Sequence, residues 1–142
     1  MTAFFVEGLP SPQGSKKHIG NGRMIESSKT LPAWRKAIKA AAEQHHTGEP
    51  IDQPVKVTVD FFMPKPAKPM FYMPATAPDL DKLCRAIGDG LEQGGLLKND
   101  SRIVGWCSWE HWAEEGEPTG ALIRVELAHI GDRPKPDLSP YL

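Results

Sequence analysis

The chain has 142 residues, 39% of them hydrophobic, which suits one domain with a modest core. No apolar run is long enough to span a bilayer, and the opening M-T-A-F-F-V-E-G-L-P lacks the basic and long apolar regions of a secretory signal. The net charge of −1 argues against a generally basic nucleic-acid binder.

That average hides an asymmetry. Between Gly14 and Lys39 stand Lys16, Lys17, Arg23, Lys29, Arg35, Lys36 and Lys39 against Glu26 alone, whereas acids outnumber bases from Cys107 onward. A basic front and an acidic back suit a polyanion on one face, or simply a solvated surface. Cys84 and Cys107 form no C-x-x-C pair and lie in apolar patterns, so they are expected to be buried thiols of a reducing, cytoplasmic compartment.

Ala3 to Glu7 reads as a short strand. Gly8 to Ser28 is rich in Gly, Pro and Ser, and Asn21-Gly22 sits between Ile19 and Met24-Ile25 as a hairpin turn would. A helix is predicted over Leu31–His45, with Thr30 as its cap and Pro32 in its first turn. Trp34, Ala37, Ile38, Ala41 and Ala42 form its inner face, and Arg35, Lys36 and Lys39 its outer one. His45 and His46 at its end complement the helix dipole; no histidine has the H-E-x-x-H spacing of a metal site. Val55 to Met63 alternates as a strand. Pro64 to Pro78 carries five prolines and is expected to be an extended connector. Its Phe71 and Tyr72 either anchor it to the core or stack on an unpaired base.

The most informative stretch is Pro78 to Val104, P-D-L-D-K-L-C-R-A-I-G-D-G-L-E-Q-G-G-L-L-K-N-D-S-R-I-V. Leu80, Leu83, Cys84, Ile87 and Leu91 recur at helical spacing, Asp81 and Arg85 share another face, and Gly94-Gly95 ends the helix. Such a helix rises about 18 Å from Asp81 to Gln93. The return from Gly94 to Asp100 covers up to about 20–25 Å if extended, so Asp100 can rejoin Asp79 and Asp81 at the helix start. Three clustered carboxylates repel unless a cation lies between them, and oxygen-only ligands favour Mg²⁺ or Mn²⁺. On spacing alone the alternative stands: aspartates at a helix start are often caps, and Asp100 a turn residue. Asp89 reads as supporting structure. Gly88, Gly90, Gly94 and Gly95 lie in or after the helix, not in a phosphate-cradling loop.

Ile103 to Trp112 is a further strand, with Trp106, Trp109 and Trp112 on both of its faces; both are expected to be covered, one by a second subunit. A-E-E-G-E-P-T-G connects it to a strand over Ala121–Leu127. Pro134, Pro136 and Pro140 mark a disordered tail, which divides the chain into a domain over 1–130 and a tail over 131–142. The order β, α, β, α, β, β predicts an α+β fold: a small mixed or antiparallel sheet with two main helices.

The runs D-L-D-K-L-C-R-A, G-D-G-L and N-D-S-R-I-V resemble the signature of the RusA-type Holliday junction resolvases, close to D-x-D-N-L-x-K-A, D-A-L, D-D-x-Q-I, without a gap from Asp79 to Val104. The resemblance implies a homodimeric endodeoxyribonuclease that resolves four-way DNA junctions by paired phosphodiester hydrolysis with Mg²⁺, or Mn²⁺. It puts the catalytic metal ligands on Asp79, Asp81 and Asp100. Arg85 takes the place of a catalytic lysine and would stabilise charge on the phosphate. Lys82 replaces an asparagine, Asn99 an aspartate, Arg102 a glutamine, and Glu110 stands where a lysine is common. In proteins of this type a similar P-Q-G-S-K segment precedes a W-R on the first helix, as Trp34-Arg35 does here. Lys16, Lys17, Arg23, Arg35 and Lys82 are thereby implied as DNA contacts. Two rivals remain: a junction-binding protein that cuts weakly or not at all, and a non-nucleolytic fold whose basic segment binds a protein.

Overall fold

Val55–Pro64 buries alternate residues, Val55, Val57, Val59, Phe61 and Met63, and so forms the centre of a sheet. The computed structural model describes residues 1–14 and 28–142, together with the backbone of two short strands in between. The elements are β1 (Thr2–Glu7), β2 (Lys16–His18), β3 (Met24–Glu26), α1 (Leu31–His45), β4 (Val55–Pro64), α2 (Leu80–Gln93), β5 (Ile103–Ala113) and β6 (Gly120–Leu127), with a 3₁₀ turn at Asp100–Arg102 before β5. The main sheet has the order β1-β6-β4-β5. β6 is antiparallel to both β1 and β4, while β4 and β5 are parallel, so the sheet is mixed. A parallel pair needs a long crossover, which the proline-rich connector and α2 supply. This is the expected α+β fold with two main helices. β2 and β3 pair separately and antiparallel, Lys16 opposite Glu26; the expected turn at Asn21-Gly22 lies outside the described residues.

Both helices pack on one face of the main sheet. Leu31, Trp34, Ile38 and Ala42 of α1 and Leu83, Ala86, Ile87 and Leu91 of α2 join Phe4, Val6 and the inward residues of β4 and β6 in one core. The two helices come close because of two glycines on α2. A Cβ on Gly90 would lie 2.5 Å from Ile38 Cγ2, and one on Gly94 2.6 Å from the Ala42 Cβ. Gly95 takes the left-handed conformation, φ +77, that ends α2.

Two expectations need correction. Thr30 makes no side-chain cap; its hydroxyl lies 2.6 Å from Ser11 Oγ instead and ties the first loop to the start of α1. Cys107 is exposed, because β5 is an edge strand whose outer face no other element covers among the described residues; Cys84, on α2, is half-buried, and its Sγ donates to Ser108 Oγ at 3.1 Å. Trp109 on that strand is 58% exposed in the single chain, and Trp106, whose side chain lies on the opposite face, is 42% exposed. After Leu127, Ile130–Asp132 and Ser139–Tyr141 form 3₁₀ turns. Asp132 accepts a hydrogen bond from the His129 backbone and lies 3.2 Å from Lys56 Nζ, which ties the first of these turns to β4.

Candidate active site

α2 begins at Asp79, whose backbone is extended and whose side chain makes no capping hydrogen bond. Its carboxylate is exposed and lies 3.9 Å from Lys82 Nζ, so capping does not account for it. Asp81 and Arg85 follow on consecutive turns. The chain then returns through Leu96 and Leu97, both buried, and is held by Ile51: the Ile51 N–H donates to Leu96 C=O and the Lys98 N–H to Ile51 C=O, each at 2.9 Å. Asn99 caps the next turn by accepting from the Ser101 N–H at 2.8 Å. The Asp100 N–H donates to Glu92 Oε1 at 2.9 Å, so this residue is anchored through its backbone. Arg102 Nε donates to Asp52 Oδ1 at 2.7 Å, and that hydrogen bond holds the Asp52 carboxyl below its usual range.

Asp100 therefore comes back against the middle of α2, where a Cβ on Gly88 would lie 3.6 Å from its own Cβ. The return segment is bridged to Ile51 at Leu97. Asp81, Arg85 and Asp100 nevertheless share one hollow of about 730 Å³, with Trp106 and Ser108 of β5 on its other wall. Asp79 lies outside that lining. Among the described residues no three His, Cys, Asp or Glu side chains are gathered as a group that could hold a metal ion. The donor set itself is all carboxylate oxygen, which matches a hard divalent cation and not a soft one.

Two further acids bear on the site. Burial pushes the Asp89 carboxyl up, Arg35 opposes this, and a hydrogen bond and like charge from Asp100 add to the rise. Asp89 thus sits beside a predicted site residue. Burial also pushes Glu110 up to about 7, with the Asp79 charge adding to it. Its Oε1 is buried and has no hydrogen-bond partner. Sequence reading noted Glu110 only as a departure from a family lysine. The period-two series Trp106, Ser108, Glu110, Trp112 opposite Val57, Val59, Phe61 and Met63 is the signal that puts it on the inner face.

The basic front starts beside this hollow. Gln13 bridges both helices: its N–H donates to the Lys82 C=O at 3.0 Å, and its Oε1 accepts from Arg35 Nη1 at 2.6 Å. Gly14, at φ +91, lets the backbone pass Arg85, since a Cβ there would lie 2.7 Å from Nη1. Arg35, expected on the outer face, is half-buried, and its Nη1 is 4.0 Å from Asp89 Oδ2. Lys82 is half-exposed beside Asp79. The side chains of Lys16 and Lys17, and the whole of Arg23, lie outside the described residues.

A family model described as Endodeoxyribonuclease RusA matches residues 7–126, which include both helices and strands β2 to β5. No curated protein matches the chain.

Proposed function

The chain belongs to the RusA endodeoxyribonuclease family, and from that premise we propose that it is a divalent-metal-dependent nuclease that resolves four-way DNA junctions by paired phosphodiester hydrolysis. Resolvases of this family generally depend on a divalent metal and act on branched DNA. The observation that carries the proposal is the shared hollow: two acidic side chains, Asp81 and Asp100, and one guanidinium, Arg85, converge on a space large enough for a phosphodiester.

Asp79, Asp81 and Asp100 are the residues that would hold the cation, Mg²⁺ or Mn²⁺. Bound there, the cation would supply Lewis acidity and a more acidic water for attack on phosphorus. The protein's own part is to position. Arg85 would place its charge against the non-bridging phosphate oxygens, where negative charge grows in the transition state. Lys82, Arg35 and the basic segment with Lys16, Lys17 and Arg23 would hold the flanking phosphates. Trp106, partly exposed in the same hollow, offers an aromatic face to the nucleotide beside the cut.

Paired cuts need two sites, and a four-way junction is two-fold symmetric, so a C2 homodimer is part of the proposal. The outer face of the sheet supports it. Phe5 and Leu122 are 37% and 44% exposed there, beside Phe62 and the His111–Asp60 pair, whose Nε2 and Oδ1 are 2.7 Å apart. The test is a labelled four-way junction beside a linear duplex, each with Mg²⁺ or with EDTA. Paired nicks in the junction alone, abolished by EDTA, are the expected result. A junction bound but left whole under every divalent cation would favour the rival of a binding protein that does not cut.

A further inference from the structure

The hollow that holds Asp81 and Asp100 is one of three along the inner face of β5. A second, of about 650 Å³, lies under the far end of the strand. A third, of about 340 Å³, shares Leu80 and Ser108 with the first and Pro74 and Glu110 with the second. The three make one trough that runs from Asp100 past Glu110 to Trp112.

The second hollow differs in character from the first. Its lining is rich in proline, with Pro10, Pro12, Pro64, Pro66 and Pro74 beside Trp112. Ala77 and Pro78, which lead directly into Asp79, form part of its edge. Lys29 stands exposed on the rim. Its one acidic lining residue is Glu110, and the Oε1 of that carboxyl is buried without a hydrogen-bond partner. Its size falls in the ~300–1,000 Å³ range of small-ligand sites.

We propose that this proline-walled pocket receives one unpaired nucleobase of the branched DNA, next to the phosphodiester that is cut. The inference rests on the nuclease reading above and goes beyond it. Proline rings and an indole match the π-face of a heterocycle, which stacks without regard to sequence. The Glu110 carboxyl on the pocket wall suits the amino group on the edge of an adenine or cytosine. The rim lysine suits the phosphate of the same nucleotide. Continuity with the Asp81–Asp100 hollow makes the occupant part of the same strand. Bases at a crossover are the least firmly stacked in such DNA, so unstacking costs least there.

The experiment uses the full chain and four-way junctions carrying a single 2-aminopurine at each position around the crossover, in EDTA so that no cutting occurs. At one position, binding should change the emission by about twofold or more as the base leaves its stack. An abasic nucleotide at that position should weaken binding by about tenfold, in line with the loss of one stacked base. Thr76→Phe, an exposed connector residue at the edge of the pocket, should fill it and abolish the emission change; on the abasic junction it should add no further loss. A junction that is bound and cut, with no position responding, overturns the pocket and leaves the nuclease reading standing. An emission change that survives Thr76→Phe, or an abasic junction bound as tightly as the intact one, also overturns it. A chain that does not bind the junction at all overturns both readings.

Discussion

Gly90→Ala tests the packing that carries the site. Gly90 is on the helix that presents Asp81, Arg85 and Asp89, and it faces Ile38, which is fully buried. The added Cβ would sit 2.5 Å from Ile38 Cγ2 and 2.7 Å from Ile38 Cβ, far inside the ordinary carbon–carbon distance of about 3.5–4.0 Å. A rotamer change cannot relieve contact with a Cβ, so the helices must part by roughly an ångström. Overpacking of this kind costs about 1–3 kcal/mol. Alanine's helix propensity opposes it by about 1 kcal/mol, because glycine is the poorer helix former. Contacts of 2.5 and 2.7 Å put the clash at about 2–3 kcal/mol, the upper part of that range, so the expected net loss is about 1–2 kcal/mol, or a melting temperature lower by roughly 3–6 °C. Urea unfolding and a thermal melt measure this. Ile38→Ala costs stability alone but should partly rescue Gly90→Ala, with a coupling of about 1 kcal/mol in the double-mutant cycle. A Gly90→Ala protein as stable as wild type, or more so, would show that helix propensity governs this position and that the interhelical contact is looser than described.

Glu110→Gln reads out the raised carboxyl. Between its ordinary 4.5 and about 7, the folded chain keeps a proton that the unfolded chain has lost. Stability tied to this group is therefore full below pH 4.5 and lost as pH rises through 7. Because Glu110 is only half-buried, solvent reduces the effect to about 1 kcal/mol. The glutamine variant should melt above wild type at pH 8 and level with it at pH 4; a gap of equal size at both values would show that the carboxyl does not titrate there. Leu122→Glu addresses the outer sheet face: wild type should sediment at about twice its 15.7 kDa and the variant at the chain mass, and a wild-type monomer with and without DNA would refute paired cutting by a dimer.

Much of the architecture was legible because it rests on periodicity. The stripe Leu83, Ile87, Leu91 and the alternation of Val55–Met63 say which faces are buried, and both hold in the fold. Pairing direction was not legible, since alternation looks the same in a parallel and an antiparallel strand; only the crossover through α2 makes β4 and β5 parallel. The packing role of Gly90 and Gly94 was not legible, because a stripe of large residues says nothing of where two backbones approach. Cys107 was expected inside because its neighbours are apolar, but those neighbours belong to an edge strand with an uncovered face. In the site, Asp81, Arg85 and Asp100 follow from spacing and motif. The return to Asp100 beside Gly88 also includes the Ile51–Leu97 bridge, a pairing 46 residues apart in the chain that no local pattern announces. Glu110 gains its character from burial and from the Asp79 charge, and both are properties of the folded chain.

The central claim is that the carboxylates around the start of α2 and Asp100 serve chemistry and not helix capping. Asp81→Asn tests it most directly, since the amide keeps the shape and is a comparable cap but a poor ligand for a hard cation. Cleavage of a labelled four-way junction in Mg²⁺ and gel shift in EDTA are measured on one preparation, with a melt to confirm folding. Cleavage should fall by roughly 100-fold or more, while affinity in EDTA should stay equal or rise, because one negative charge has left the hollow that the proposed function assigns to the phosphate. An Asp81→Asn protein that nicks the junction at close to the wild-type rate would contradict it.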